Sequence, residues 1–256
     1  MSRIRVAVVG AAGRMGSETL RTITDADDME VALAVDRGQN VRSPVEGVSI
    51  TEFLPDPVER CDVLVEFTHA ESATEHAVRA ANSGVSPVIG ASGLSKLQQE
   101  EVADACRING VGGILVPNFA VGAVLMMRFA QEAAQWLPDA EIIELHHDRK
   151  IDAPSGTAIR TAELISEARS KAKRPDPTTK LKHEGARGAQ VSDVNVHSVR
   201  LPGLVAHQQV IFGGEGEILT IKHDSTSRTS FMQGVKLAIR KVRTLDAFLI
   251  GLDKLM

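Results

Sequence analysis

Arg3-Ile4-Arg5-Val6-Ala7-Val8-Val9-Gly10-Ala11-Ala12-Gly13-Arg14-Met15-Gly16 runs from a β-branched segment straight into three evenly spaced glycines. The first half has the continuous apolar character of a strand buried on both faces. Past the turn, Met15, Thr19, Leu20 and Ile23 fall on one side of a helix. Strand, glycine turn and helix in that order form the dinucleotide-binding arrangement, here in the spacing GxxGxxG. Glycine lets the backbone approach a pyrophosphate that rests on the helix N-terminus. Tight strand-to-helix turns need glycine for their own geometry as well, so the surrounding chain must decide between the two.

That context favours the nucleotide. The next strand, Glu30 to Val35, ends in Asp36, where a ribose-binding carboxylate is expected. Arg37 beside it and Arg14 in the glycine turn are placed to meet a 2′-phosphate, so NADPH as well as NADH is expected as cofactor. Both arginines also fit a solvated surface. Further buried strands follow at Asp62 to Phe67, Ser86 to Ile89 and Ile114 to Val116, with helices between them at about 72–82 and 95–109, and a short strand is expected at Val48 to Phe53. This alternation specifies a Rossmann-like, doubly wound parallel sheet. Its ligands bind beyond the carboxyl ends of the strands, in the turns Gly10 to Met15, Asp36-Arg37, Phe67-Thr68, Gly90 to Ser92 and Val116 to Phe119.

From Val121 the pattern changes. A helix to about Trp136 leads to a strand, Ala140 to Leu145, and then to His146-His147-Asp148-Arg149-Lys150-Ile151-Asp152-Ala153-Pro154-Ser155-Gly156-Thr157-Ala158. Here two imidazoles and a lysine precede a helix that Ser155 is placed to cap. The amides of Gly156 and Thr157 would form an anion seat at its N-terminus. An imidazole titrating near neutral pH beside such a seat suits an acidic small molecule that receives a proton. A metal site is not expected, because adjacent histidines followed by lysine lack ligand spacing. The helix is expected to end near Lys173, followed by a polar connection from Arg174 to Gln190. Runs at 194–201, 205–212 and 217–223 read as antiparallel strands. With the strand before His146 they make an open, mainly antiparallel sheet of about four strands, a second α+β domain. His183, His197, His207 and His223 read as surface or satisfied strand residues. A last helix, about 229–242, and the apolar tail Phe248-Leu249-Ile250 are available to complete the first domain.

The chain has 256 residues, 43% of them apolar, and a net charge of −4. It can bury a substantial core, and its charge argues against a nucleic-acid partner held by phosphate contacts. No apolar run approaches the ~20 residues that cross a bilayer. The strand beginning at once after Ser2 argues against a signal peptide, and Cys61 and Cys106, in no paired motif, fit a reduced cytoplasmic setting.

The run Glu-Leu-His-His-x-x-Lys-x-Asp-Ala-Pro-Ser-Gly-Thr-Ala at 144–158 resembles the signature of the dihydrodipicolinate reductase family. Similarity extends to Gly10 through Gly16, Phe67-Thr68-His69, Pro117-Asn118-Phe119, Gly122 and Arg228 to Phe231, nearly the whole chain. The resemblance implies a cofactor-binding domain of residues 1–119 completed by 230–256. It implies a substrate-binding and oligomerisation domain at 120–229, and a homotetramer. The pyrophosphate would be held by Gly10, Ala11, Ala12, Gly13, Arg14 and Met15, and the ribose by Asp36. Gly90, Ala91 and Ser92 would lie near the nicotinamide, closed by Val116, Pro117, Asn118 and Phe119. His146 would be the catalytic histidine, Lys150 the proton donor, and His147, Gly156 and Thr157 the contacts of a cyclic imine dicarboxylate. Hinge closure would bring cofactor and substrate together. Family members commonly read Gly-Thr-Thr-Gly where this chain has Gly90-Ala91-Ser92-Gly93; Ser92 keeps a hydroxyl and Ala91 loses one. Two other readings share the plan: a different nicotinamide-dependent imine or amino-acid dehydrogenase, and a nucleotide-sensing module without turnover. The titratable pair His146 and Lys150 argues against the second, since binding alone does not need it.

Overall fold

The computed structural model describes residues 2–38, 44–169 and 175–256. In chain order the first part contains β1 (Ile4–Val9), α1 (Arg14–Thr24), β2 (Met29–Val35), β3 (Val63–Glu66), α2 (Ala70–Asn82), β4 (Ser86–Ile89), α3 (Lys96–Asn109) and β5 (Gly113–Leu115). The second part contains α4 (Val121–Ala134), β6 (Asp139–His146), α5 (Gly156–Ala168), β7 (Ala189–Val191), β8 (Val194–Arg200), β9 (Ala206–Gly213) and β10 (Ile218–Ser225), before α6 (Met232–Val242) and β11 (Phe248–Ile250). Contacts divide the chain into two units, Met1–Ala120 with Arg228–Met256, and Val121–Ser227.

The first unit is built on a six-stranded parallel sheet in the order β11-β5-β4-β3-β1-β2. Its central strands are buried throughout, as apolar runs covered by helices on both faces must be. The strand order reverses at β1, because β2 lies on one side of it and β3 on the other. At such a switch point a crevice opens beyond the strands' carboxyl ends. The C-terminal segment belongs here: β11 pairs with β5, and α6 packs so closely that a Cβ at Gly234 would lie 2.0 Å from the carbonyl oxygen of Phe119. The expected helix at 95–109 begins at Lys96, with Ser95 and Gln98 forming a reciprocal capping box. The strand expected at Val48 to Phe53 does not form. Only isolated bridges, Val35 with Thr51 and Val45 with Val48, occur there. Glu46 and Gly47, both at positive φ, form a tight turn closed by Val45 and Val48, and beyond it Thr51 bonds the end of β2 through the Ala34 carbonyl and the Asp36 amide.

The second unit carries a five-stranded sheet in the order β10-β9-β6-β8-β7. Ala130 and Ala134 of α4 and Ala158, Ala162 and Ile165 of α5 cover one face and close a core with Ile142, Val196, Val210 and Phe212. Small residues on both helices allow that close approach to the sheet. Three of the pairings are antiparallel, but β6 and β8 run parallel, which corrects the expectation that the later runs simply alternate. The crossover through α5 returns the chain to the end of the sheet where β6 began, so the next long strand must run parallel. The expected connection also ends in a strand: β7 joins β8 by a two-residue turn, with Ser192 and Asp193 both at positive φ. α5 ends at Ala168, and Lys173, the expected helix end, lies outside the described residues.

Candidate functional site

In the first unit a cleft of about 560 Å³ opens at the switch point. Gly10, Gly13, Asp36, Arg37, Phe53, Phe67 and His76 are among the residues lining it. Gly10 has φ +77°, and a Cβ there would lie 3.1 Å from the Phe67 carbonyl. A Cβ at Gly16 would fall 2.1 Å from the Gly10 oxygen, so α1 can approach the turn only with glycine at that position. α1 begins at Gly13 without a side-chain cap, which suits an anion at its N-terminus. The Asp36 carboxylate accepts the Ala12 amide at 2.8 Å and the Arg37 amide at 2.7 Å, tying the end of β2 to the glycine turn. Arg14 and Arg37 are exposed.

The remaining expected cofactor residues divide by burial. Ala91, Val116 and Phe119 are nearly inaccessible, so they pack into the core. Phe119 packs edge-on against Phe67 with ring centroids 5.9 Å apart. Gly90 sits under both rings, where a Cβ would lie 2.4 Å from Phe67 and 2.8 Å from Phe119. Ser92 and Pro117 are exposed, and Asn118 Oδ1 accepts the Ala120 amide at 2.8 Å.

In the second unit the expected catalytic stretch gathers around a residue the sequence reading left without a role, Glu144. Its side chain is fully buried. Glu144 Oε2 lies 2.5 Å from His146 Nδ1, and both carboxylate oxygens accept from Arg200, at 2.9 and 2.8 Å. The Ser155 amide donates to it at 3.3 Å. Burial pushes the Glu144 carboxyl up, but hydrogen bonds from His146, Arg200 and Ser198 outweigh it and bring the pKa down to about 2. An ionised carboxylate only accepts, so His146 Nδ1 must carry hydrogen and Nε2 remains for a ligand.

Arg200 also donates to the Asp152 carbonyl at 2.7 Å, and Lys150 Nζ donates to both Asp152 carboxylate oxygens at 2.8 Å. His146, Lys150 and the start of α5 therefore belong to one hydrogen-bonded network. Ser155 caps α5 by accepting from the Ala158 amide at 3.2 Å, and a Cβ at Gly156 would meet open space. Thr157 is half-buried and its carbonyl accepts from Thr161 at 2.7 Å. Glu144 was readable from its place two residues before His146, which puts both on one face of a strand. Arg200, from a strand 56 residues further on, gave no such signal. Of the histidines read as structural, His197 bonds Glu141 and His207 bonds Asp224, each at 2.8 Å, and burial lowers the pKa of His223. Among the described residues no group of three or more His, Cys, Asp or Glu is placed to hold a metal ion, and no helix is long and apolar enough to cross a membrane.

Two family models cover almost the whole chain: "Dihydrodipicolinate reductase, N-terminus" matches residues 4–119 and "Dihydrodipicolinate reductase, C-terminus" residues 122–256. The chain belongs to the dihydrodipicolinate reductase family. It is 49% identical to the 4-hydroxy-tetrahydrodipicolinate reductase of Moorella thermoacetica, over 100% of this chain and 99% of the relative. It is 46% identical to that of Desulfitobacterium hafniense, over 100% of both. A dipicolinate-bound dihydrodipicolinate reductase from Paenisporosarcina sp. TG-14 superposes with a TM-score of 0.90 at 40% identity, covering 99% of this chain and 100% of that one. The family consists of oxidoreductases that use NADH or NADPH, and the glycine turn, the uncapped start of α1 and the fixed Asp36 fit such a cofactor.

Proposed function

We propose that the chain reduces 4-hydroxy-tetrahydrodipicolinate, the product of dihydrodipicolinate synthase, to tetrahydrodipicolinate in lysine and diaminopimelate biosynthesis. The substrate is a cyclic imine dicarboxylate that loses water to a conjugated imine. One hydride, which NADPH or NADH supplies when bound, goes to ring carbon 4. Electron density then moves into the C5–C6–N1 system toward the ring nitrogen, and one proton delivered to that system completes the reduction, the imine product carrying it on carbon 5.

The observation that carries this reading is the Glu144–His146 contact, which fixes the imidazole by Nδ1 and leaves Nε2 for the ligand. Lys150, on the loop that follows β6, is the assigned proton donor, with Asp152 as its resting partner. The open space at Gly156, with Thr157 and His147, is assigned to the substrate carboxylates, which a helix N-terminus favours. In the first unit Gly10 to Met15 would hold the pyrophosphate and Asp36 the ribose. Arg37 would meet a 2′-phosphate, Gly90 to Ser92 would line the nicotinamide, and Val116 to Phe119 would close that side.

We assign the first unit to cofactor binding, and the second to substrate binding and self-association. The face of its sheet opposite α4 and α5 carries half-buried Ile143, Leu145, Val199 and Ile211, an apolar surface that a homotetramer would cover. Cytoplasmic residence follows from the pathway. The test is loss of reduced-nicotinamide absorbance when the protein receives NADPH and freshly made synthase product. Turnover only with that substrate supports the reading, and none, or turnover only with other imines, defeats it.

A further inference from the structure

Glu66 is the last residue of β3, at the centre of the parallel sheet, and its carboxylate is fully inaccessible. Val9 of β1 and Ile89 of β4 pair with it on either side. The three strands therefore end together, and the turns that follow them are Gly10 to Gly13, Phe67 to His69 and Gly90 to Ser92. A carboxyl group at such a place is costly, and an apolar side chain of similar size would fill the space as well. Its contacts show what it does instead. Glu66 Oε1 accepts the Thr68 amide at 2.6 Å, and Oε2 lies 2.8 Å from Nδ1 of His76 on α2. His76 is itself buried and lines the cleft.

The bond to Thr68 bends the chain directly after β3. The Phe67 carbonyl then lies against Gly10, and the Phe67 ring covers Gly90 and meets Phe119 edge-on. Gly10, Gly90 and Phe119, from three of the turns assigned to the cofactor, thus rest against Phe67, and the peptide that follows Phe67 is held by Glu66. We infer that His76 and Glu66 form a positioning pair that holds the Phe67 to His69 turn in register with the glycine turn, so that the affinity for reduced nicotinamide dinucleotides depends on two residues not assigned to any ligand contact. The inference rests on the assignment of this cleft to the cofactor. His76 sets the orientation of the Glu66 carboxylate, and Glu66 sets the turn. Neither reaches the 2′-phosphate in this role, so NADPH and NADH must be affected alike.

The test is calorimetric titration of the full-length protein with NADPH and separately with NADH, with steady-state constants measured in parallel. Removing one partner leaves a buried polar group unpaired and can unfold the unit, so the informative variant replaces both: Glu66→Leu with His76→Leu. Exchange of a buried pair for apolar residues commonly preserves the fold. Binding of both cofactors should weaken by about tenfold or more, the scale of losses from small misplacements, while KM for the dicarboxylate stays at the wild-type value. A second comparison uses His76→Asn, whose amide can stand near the Nδ1 position, against His76→Leu. The asparagine variant should bind both cofactors more tightly than the leucine variant. Wild-type affinity in the double variant, or equal affinity in the two single ones, overturns the inference. Failure of the wild-type protein to bind either cofactor would instead overturn the assignment of the cleft.

Discussion

Glu144 Oε2 and His146 Nδ1 lie 2.5 Å apart, on residues that share one face of β6. The carboxylate is also held by Arg200, so the imidazole is oriented by a group that is itself fixed by two further hydrogen bonds. Replacing Glu144 by Gln puts an amide N–H where an acceptor is required and permits the other imidazole tautomer. Glu144→Gln should lower kcat roughly 10²-fold, within the range for disabling a general acid or base, with KM for NADPH unchanged. Steady-state kinetics check this; an unaltered kcat would remove the orienting role.

The same carboxyl makes the second unit acid-sensitive in a defined window. Its pKa is lowered from 4.5 to about 2, burial opposing and the bonds from His146, Arg200 and Ser198 prevailing. A depressed carboxyl stabilises the fold fully above its unfolded pKa, and the contribution is lost as pH falls toward the folded one. The protection factors of the β6 amides, taken relative to intrinsic exchange at each pH, should therefore fall between about pH 4.5 and pH 2 in the wild type, and Glu144→Gln should lose most of that dependence.

Arg37 follows Asp36, the carboxylate we assign to the ribose, which fixes the Arg37 backbone by accepting its amide at 2.7 Å. Arg37→Ala should weaken NADPH several-fold more than NADH, because only NADPH carries the phosphate that a guanidinium would meet. Titration with both cofactors decides it. Equal losses would leave Arg37 as a surface residue.

Cys61 and Cys106 are both buried, and burial pushes each thiol up to about 11. The thiolate is the reactive form, so neither should react with an aromatic disulfide reagent at pH 8 in the folded protein, and both should react after denaturation. Rapid labelling of either in the native state would contradict their packing role.

The parallel sheet was legible because strands buried on both faces leave continuous apolar runs, as at Val6 to Val9 and Val63 to Val65, and the glycine turn marks where they lead. The return of Phe248 to Ile250 to β5 was only permitted by the sequence, since a three-residue apolar run does not say which edge it joins. The parallel pairing of β6 with β8 was missed for a related reason. Alternation identifies strands, whereas direction depends on which end of the sheet a crossover returns to. At the site, His146, Lys150 and Ser155 stood within one contiguous motif. Arg200, Glu66 and His76 act through bonds to residues distant in sequence or across elements, and spacing carries no trace of such bonds.

Lys150 Nζ is held by both oxygens of Asp152 at 2.8 Å, and Arg200 anchors the same loop through the Asp152 carbonyl. We assign to this ammonium the proton that completes the reduction. The most direct measurement is single-turnover oxidation of bound NADPH by Lys150→Ala mixed with fresh synthase product, with NADPH affinity determined alongside. The rate should fall by about 10²- to 10⁴-fold with cofactor affinity nearly unchanged; a rate comparable to wild type would remove Lys150 as the proton donor.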